Sequence, residues 1–354
     1  MTLRADVVMP IRNGARFVVP AVKSILEDEA LGTLIIVDDG SNDDWEARAA
    51  GLLKRDSVRI IRQPPAGIAA ALNRGLTEAT TRYVARMDAD DVSLPGRLAS
   101  QIKWLDHHPE IAAFGAQMLV ITADDTAGRE SNYPCRPEEV RHALFARGRC
   151  ALCHPAVMLR REAVLAAGGY RTSFENAEDY DLWLRLSEKG AVANSHHTFI
   201  HYRVHPGQVS HQRKVRQSFA RDLALFSARE RAQGRADPTQ DWLTPKSYAE
   251  LQAPEFHPVI RKLAVAYEAI DGVWNGGRQV LTAEAVRAIP DLARASYLGE
   301  TRRLRYDLIK KAGATALWRG NLGHALEAYY ALAHCRTIDS KFFRKTFEPA
   351  GGPA

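Results

Sequence analysis

In the first quarter of the chain, short apolar runs alternate with stretches of helical pattern, and this alternation narrows the possible folds more than any other feature. "DVVMP" from Asp6, "TLIIVDDGS" from Thr33, "VRIIR" at 58–62 and "RYVARMDADD" from Arg82 read as strands. Each is apolar or β-branched almost throughout, as a parallel strand covered on both faces must be. Helical patterns fill 17–29, 44–54 and 67–79. Strand–helix–strand repetition predicts an α/β fold with a doubly wound, mostly parallel sheet. Ligands of such sheets lie at the carboxyl ends of the strands. The polar clusters "PIRNG", "DDGSNDD" and "DADD" follow the first, second and fourth runs, at those ends.

Each cluster has a chemical and a purely structural reading. Asp88 and Asp90 are two apart, so on an extended chain their carboxylates share a face. Such a pair repels itself unless a cation intervenes, and Mg²⁺ or Mn²⁺ takes carboxylate and phosphate oxygens. A solvated acidic turn is the alternative. Asp38 and Asp39 end a buried strand, where they can accept hydrogen bonds from a base or ribose, or form an Asx turn. Glu178 and Asp179 begin the helical stretch "AEDYDLWLRLSEKG", whose apolar face is Leu182, Trp183 and Leu186. They suit either the helix dipole or general-base catalysis. In "FIHYRVHPGQVSH", His201, Arg203 and His205 alternate on one strand face, fitting a diphosphate or a solvated edge.

Further along, "RLASQIKWLDHHP" reads as helix, "IAAFGAQMLVI" as strand and "TADDTAGRESNYPCRPE" as loop. "HPAVMLRR" reads as a strand and "EAVLAAGG" as a helix with a glycine stop. From Val215 the pattern is mostly helical, with breaks near "GRADPTQDWLTP" and "AIPD". "WRGNLGHALEAYYALAH" is a single copy of a helical-hairpin pattern, and one copy is not a repeat. A hydrophobic share of 46% against 25% charged residues fits a folded chain of 354 residues. The opening "MTLRADVVMPIRNG" lacks the layout of a signal peptide, and no run reaches membrane-helix length, so a reducing cytoplasmic setting is expected.

"CALCH", Cys150 to His154, has the spacing of a c-type haem attachment. A chain without an export signal argues against that reading. Zinc is no better served, because Cys135 and Cys335 complete no spaced pair. Charge is uneven: residues 1–199 hold 24 Lys+Arg and 27 Asp+Glu (24 − 27 = −3), and residues 200–354 hold 24 and 15 (24 − 15 = +9). The basic half suits an anionic lipid or phosphate-rich surface, or a solvated helical surface rich in Arg. At 297–318, Tyr297, Leu304, Leu308 and Ile309 lie among five Lys/Arg, the layout of an interfacial helix, a dimer interface or plain core.

Seven stretches together, "VVMPIRNG", "IIVDDGSNDD", "GIAAALNRGL", "RYVARMDADDVSLPGRL", "HPAVMLRREAVLAAGGY", "AEDYDLWLRL" and "YRVHPGQVS", resemble a family-2 glycosyltransferase with the GT-A nucleotide-sugar fold. They span about residues 5–210. The resemblance implies a GT-A domain over 1–212, with a nucleotide-binding half to about 120 and an acceptor half from about 121. A helical region at 213–345 and a disordered tail at 346–354 would follow. It implies a donor site of Pro10, Arg12, Asn13, Asp38, Asp39, Asn73, Arg74, Asp88 and Arg203. Arg12 stands where the family often has Tyr, which alters base stacking. A divalent cation, Mn²⁺ or Mg²⁺, would sit on Asp90 and Asp88 with His205 near, and Asp91 is a frequent companion. Asp179 resembles the catalytic base, with Glu178 beside it, and His154, Tyr170 and Trp183 fall on the acceptor side. His154 then belongs to a family strand and not to a haem site.

The implied reaction is inverting transfer from a nucleoside-diphosphate sugar, a UDP-sugar first, to an acceptor hydroxyl in polysaccharide, glycolipid or glycoprotein glycan synthesis. The implied partners are that donor, a saccharide, lipid-linked or protein acceptor, an anionic membrane face touched peripherally, and a second copy of the chain; nucleic acid is not expected. A sugar-nucleotide pyrophosphorylase would want a Gly-rich, Arg/Lys-bearing loop after the first strand, and "PIRNGARF" has one glycine. A non-catalytic binding protein should have lost the D-x-D or the base, and both are present.

Overall fold

The computed structural model describes residues 4–206 and 213–274. The opening strands and helices follow the sequence pattern. They are β1 (Ala5–Ile11), α1 (Val18–Leu26), β2 (Leu31–Asp38), α2 (Trp45–Leu53), β3 (Val58–Arg62), α3 (Ile68–Glu78) and β4 (Tyr83–Arg86). Then come β5 (Val92–Ser93), α4 (Arg97–His107), β6 (Ile111–Ile121), β7 (Ala127–Glu130), α5 (Pro137–Arg141), β8 (Met158–Arg160), α6 (Arg161–Ala166), α7 (Glu178–Lys189) and β9 (Ala191–Arg203). Helices Lys214–Ala232, Tyr248–Leu251 and Pro258–Trp274 complete the described part.

One sheet holds all nine strands in the order β3-β2-β1-β4-β8-β6-β9-β5, with β7 on the side of β6. β1 to β4 pair in parallel, as do β6 and β9, while β8 runs antiparallel to both β4 and β6. Alternate residues serve opposite cores: Val8, Ile35 and Val37 face one apolar cluster, Val7, Met9, Leu34 and Ile36 the other. α1, α2 and α4 contribute to the second cluster, and α3, α7 and the helix Lys214–Ala232 to the first. Chain order reverses at β1, which lies between β2 and β4, so the loops after these strands converge. α3 closes onto β1 through Gly75, where an added Cβ would lie 2.3 Å from a methyl of Val8.

Three expectations need correction. The stretch 122–138 is not all loop: it carries β7 and the start of α5. "HPAVMLRR" is not a strand throughout, because its proline turns His154–Ala156 into a short 3-10 segment before β8. The last strand starts at Ala191, well before Phe199, and its register on β6 shifts three times. Such a strand loses the clean alternation that sequence reading depends on. The basic 297–318 stretch, the hairpin-like segment and the tail at 346–354 lie outside the described residues.

Candidate active site

The end of β4 brings Asp88, Asp90 and Asp91 together, with ligand oxygens all within 4.8 Å of one another. Arg86, the buried last residue of the strand, ion-pairs with Asp88 at 2.5 Å. Burial alone would favour its neutral form, yet the Asp88 carboxylate outweighs this and holds the guanidinium charged. His205 Nε2 is 3.0 Å from Asp90 Oδ2, and its ring packs on Phe17 at 5.0 Å. Asp91 is fully buried; one oxygen accepts the Arg203 backbone N–H at 2.8 Å, and Oδ2 has no hydrogen-bond partner among the described residues. Burial, and then repulsion from Asp88, raises the Asp90 carboxyl above its usual range. The same causes, with Asp90 added, raise Asp91 well above it. A crowded, partly orphaned set of hard oxygens fits a divalent cation.

At the end of β2 the carboxylates are filled by the protein. Asp38 accepts the Ser41 N–H at 2.8 Å, an Asx-turn contact, and the Trp45 indole N–H at 3.2 Å. Asp39 accepts the Gln63 amide and the Ala66 N–H, both at 2.8 Å, and the Gly67 N–H at 2.9 Å. Asn13, at φ 55°, zips the first loop to the second: its N–H donates to Ser41 Oγ and its side-chain oxygen accepts the Asn42 N–H. Pro10 is buried in β1 and Arg12 is exposed beside this junction.

Glu178 and Asp179 open α7, where the helix dipole favours negative charge. Glu178 is buried, and its Oε2 has no hydrogen-bond partner among the described residues. Burial first, and the Asp179 charge second, push its carboxyl up to about 8. Asp179 is half-buried; Oδ1 accepts the Tyr180 N–H at 2.7 Å and Oδ2 meets Cys150 Sγ at 3.8 Å. Burial raises its carboxyl too, while that N–H and then Arg221 draw it back. His154 lies 3.0 Å from the Tyr170 hydroxyl and edge-on to Trp183 at 5.8 Å. Burial, then Arg86, keeps His154 well below its ordinary pKa and therefore neutral. In "CALCH" the thiols diverge: Cys153 is buried 3.3 Å from Met118 Sδ, and Cys150 faces Asp179.

Three expected donor contacts have other tasks in the structure. Asn73 clamps the Tyr170 backbone, donating to its carbonyl at 2.7 Å and accepting its N–H at 2.8 Å. The clamp fits only because residue 169 is glycine: φ is +67°, and a Cβ would lie 2.6 Å from Asn73 Oδ1. Arg74 is exposed and pairs with Glu78 at 3.0 Å. Arg203 is 1% exposed, donating to the Asp90 and Thr122 carbonyls and pairing with Asp125 at 2.7 Å. It anchors the aspartate loop from behind. Sequence reading passed over Arg86, whose one signal was a charge inside an otherwise apolar strand, and Phe17.

Residues 6–167 match the family model described as glycosyl transferase family 2. EpsE of Bacillus subtilis (strain 168), whose name places it among glycosyltransferases, is 33% identical over 193 residues, covering 53% of this chain and 68% of EpsE. The chain is a family-2 glycosyltransferase. The amylovoran biosynthesis glycosyltransferase AmsE of Erwinia amylovora is 37% identical over 131 residues, covering 36% of this glycosyltransferase and 47% of AmsE. The match thus spans about two thirds of one relative and half of the other. The crystal structure of S. aureus TarS 1–349 in complex with UDP-GlcNAc superposes with a TM-score of 0.55 at 11% identity, over 98% of this chain and 93% of that one. That likeness establishes a shared GT-A-type α/β fold. Among the described residues, no helix is long and apolar enough to cross a membrane.

Proposed function

We propose that this glycosyltransferase moves a sugar from a UDP-sugar to an acceptor hydroxyl with inversion at the anomeric carbon. The observation that carries the reading is the crowded carboxylate cluster of Asp88, Asp90 and Asp91, with Asp91 Oδ2 unpartnered among the described residues, in a fold that also holds a perturbed acid pair at the head of α7. The UDP preference is supported by the bound donor in the TarS structure, and a role in polysaccharide biosynthesis by the naming of AmsE.

A divalent cation held by Asp88, Asp90 and Asp91, with His205 beside Asp90, would offset charge on the donor diphosphate. Asp179 takes the proton of the acceptor hydroxyl through Oδ2, the oxygen not held by the Tyr180 N–H. The acceptor oxygen forms its bond to the anomeric carbon as the bond to the diphosphate oxygen breaks, through an oxocarbenium-like state. A raised carboxyl suits this role, since a base works best with a pKa near the working pH. Glu178 is protonated near neutrality, so it is the neutral neighbour and not the base. The buried, neutral His154 and Tyr170 wall the acceptor side. The GT-A unit is read as 1–212, with the helical region from 213 backing α7.

Calorimetry with UDP, GDP and TDP, with and without Mn²⁺, tests the donor site. Mn²⁺-dependent UDP binding that Asp90→Ala abolishes is expected; equal binding in that variant overturns the cation assignment. Asp179→Asn should keep UDP binding and lower turnover by about 10²- to 10⁴-fold. Retained turnover would move the base elsewhere.

A further inference from the structure

The first turn of α7 is held by charges that come from outside the matched stretch 6–167. Asp181, two residues beyond Asp179, is fully buried. Its carboxylate accepts from Arg171 at 3.0 Å and from Arg185 at 2.9 and 2.7 Å. Arg185 also donates to the Gly169 carbonyl at 2.8 Å, beside the Asn73 clamp. Arg171 has a second partner: its Nη1 donates to Asp237 Oδ2 at 2.8 Å. Asp237 comes from the turn after the helix Lys214–Ala232, and its side chain is 6% exposed. The same oxygen accepts from Arg231, which also grips Glu188 near the far end of α7. Its other oxygen accepts the Thr239 N–H at 2.9 Å and hydroxyl at 2.7 Å.

We infer that Asp237 is a positioning residue for the base at the head of α7, acting through Arg171 and Asp181. This rests on the reading of Asp179 as base. Without the Asp237 carboxylate, Arg171 and Arg231 face each other in a largely buried site with one shared anion fewer. Removing one member of a buried charge set leaves the rest uncompensated, and the structure relaxes to rehydrate them. The relaxation available here is withdrawal of Arg171 from Asp181, which frees the turn carrying Glu178 and Asp179. A misplacement of about 1 Å at a reacting group costs about a hundredfold in rate.

The test compares Asp237→Asn and Asp237→Glu in the full chain. UDP release is followed from whichever of a panel of UDP-sugars the wild type hydrolyses, alongside Mn²⁺-dependent UDP binding. Asp237→Asn should lower kcat about ten- to hundredfold with the UDP Kd within about twofold, and Asp237→Glu should restore part of it. Combined with Asp179→Asn it should cost almost nothing further, because both act on one step. Loss that multiplies with Asp179→Asn, or a lowered Tm with kcat unchanged, overturns the proposal. If Asp179→Asn alone keeps turnover, the base assignment fails, and the same cycle run against Glu178→Gln decides for Asp237. A readout without substrate uses Cys150, whose Sγ lies 3.8 Å from Asp179 Oδ2. Peptide-mapped iodoacetamide labelling of Cys150 should accelerate several-fold in Asp237→Asn, with Cys135 steady as the reference; an unchanged Cys150 rate counts against the inference.

Discussion

The ends of β2 and β4 carry the same residue type in the same topological place, yet the two sites are opposites. At β2, Asp38 and Asp39 receive five hydrogen-bond donors between them, three from backbone N–H groups. At β4, three carboxylates crowd within 4.8 Å, one oxygen has no hydrogen-bond partner among the described residues, and two carboxyls are raised by burial and mutual repulsion. A strand-end aspartate is therefore not informative by itself. What separates scaffold from site is whether the protein supplies donors for the carboxylate oxygens or leaves them for something else.

The largest effect that could sharpen this contrast is on rate. Asp90→Ala should lower turnover roughly 10³-fold, several kcal/mol of lost charge stabilisation, with little change in the midpoint of urea unfolding without metal. Asp39→Ala should do the reverse. It orphans the Ala66 and Gly67 N–H groups and should cost about 3 kcal/mol in urea unfolding, equally with and without Mn²⁺. If Asp39→Ala instead abolishes UDP binding in a fully stable protein, the contrast collapses.

Glu178 tests the same idea through pH. Its folded carboxyl titrates near 8 and its ordinary value is 4.5, so between these values the folded state keeps a proton that the unfolded chain has lost. Stability from this group is fully present below about pH 4.5 and falls as pH rises towards about 8. Glu178→Gln should flatten that slope in unfolding measured from pH 5 to 8; an unchanged slope would place the proton elsewhere. The smallest effect is that of Asp91→Asn. Relieving repulsion in the cluster should leave the metal-free protein equal or about 1 kcal/mol more stable, while the rise in Tm on adding Mn²⁺ shrinks.

Much of the fold was legible because β1, β2 and β4 are buried on both faces and their loops are short, so local pattern and tertiary role coincide. The acidic clusters were legible for the same reason. Their hydrogen-bond partners were not, since no spacing reveals that Asp39 will meet Gly67 or that Asn73 will meet Tyr170, 97 residues away. β9 was half hidden by its register shifts. Asp237 gave no signal, lying in a polar break "GRADPTQDW" that reads as linker, because a buried ion network has no period in sequence.

The ties among Arg171, Asp181 and Asp237 also bear on how the chain comes into being. Synthesis runs from the N-terminus, so α7 leaves the ribosome about fifty residues before its anchor at Asp237 does. Until then Arg171 and Arg185 share Asp181 without the Asp237 carboxylate, and α7 lacks the helix Lys214–Ala232 that packs behind it. With Asp179 as the proposed base and Asp237 as its proposed anchor, the nascent chain gains its sheet early and its working geometry late, which leaves an interval when a folded-looking chain is still inactive.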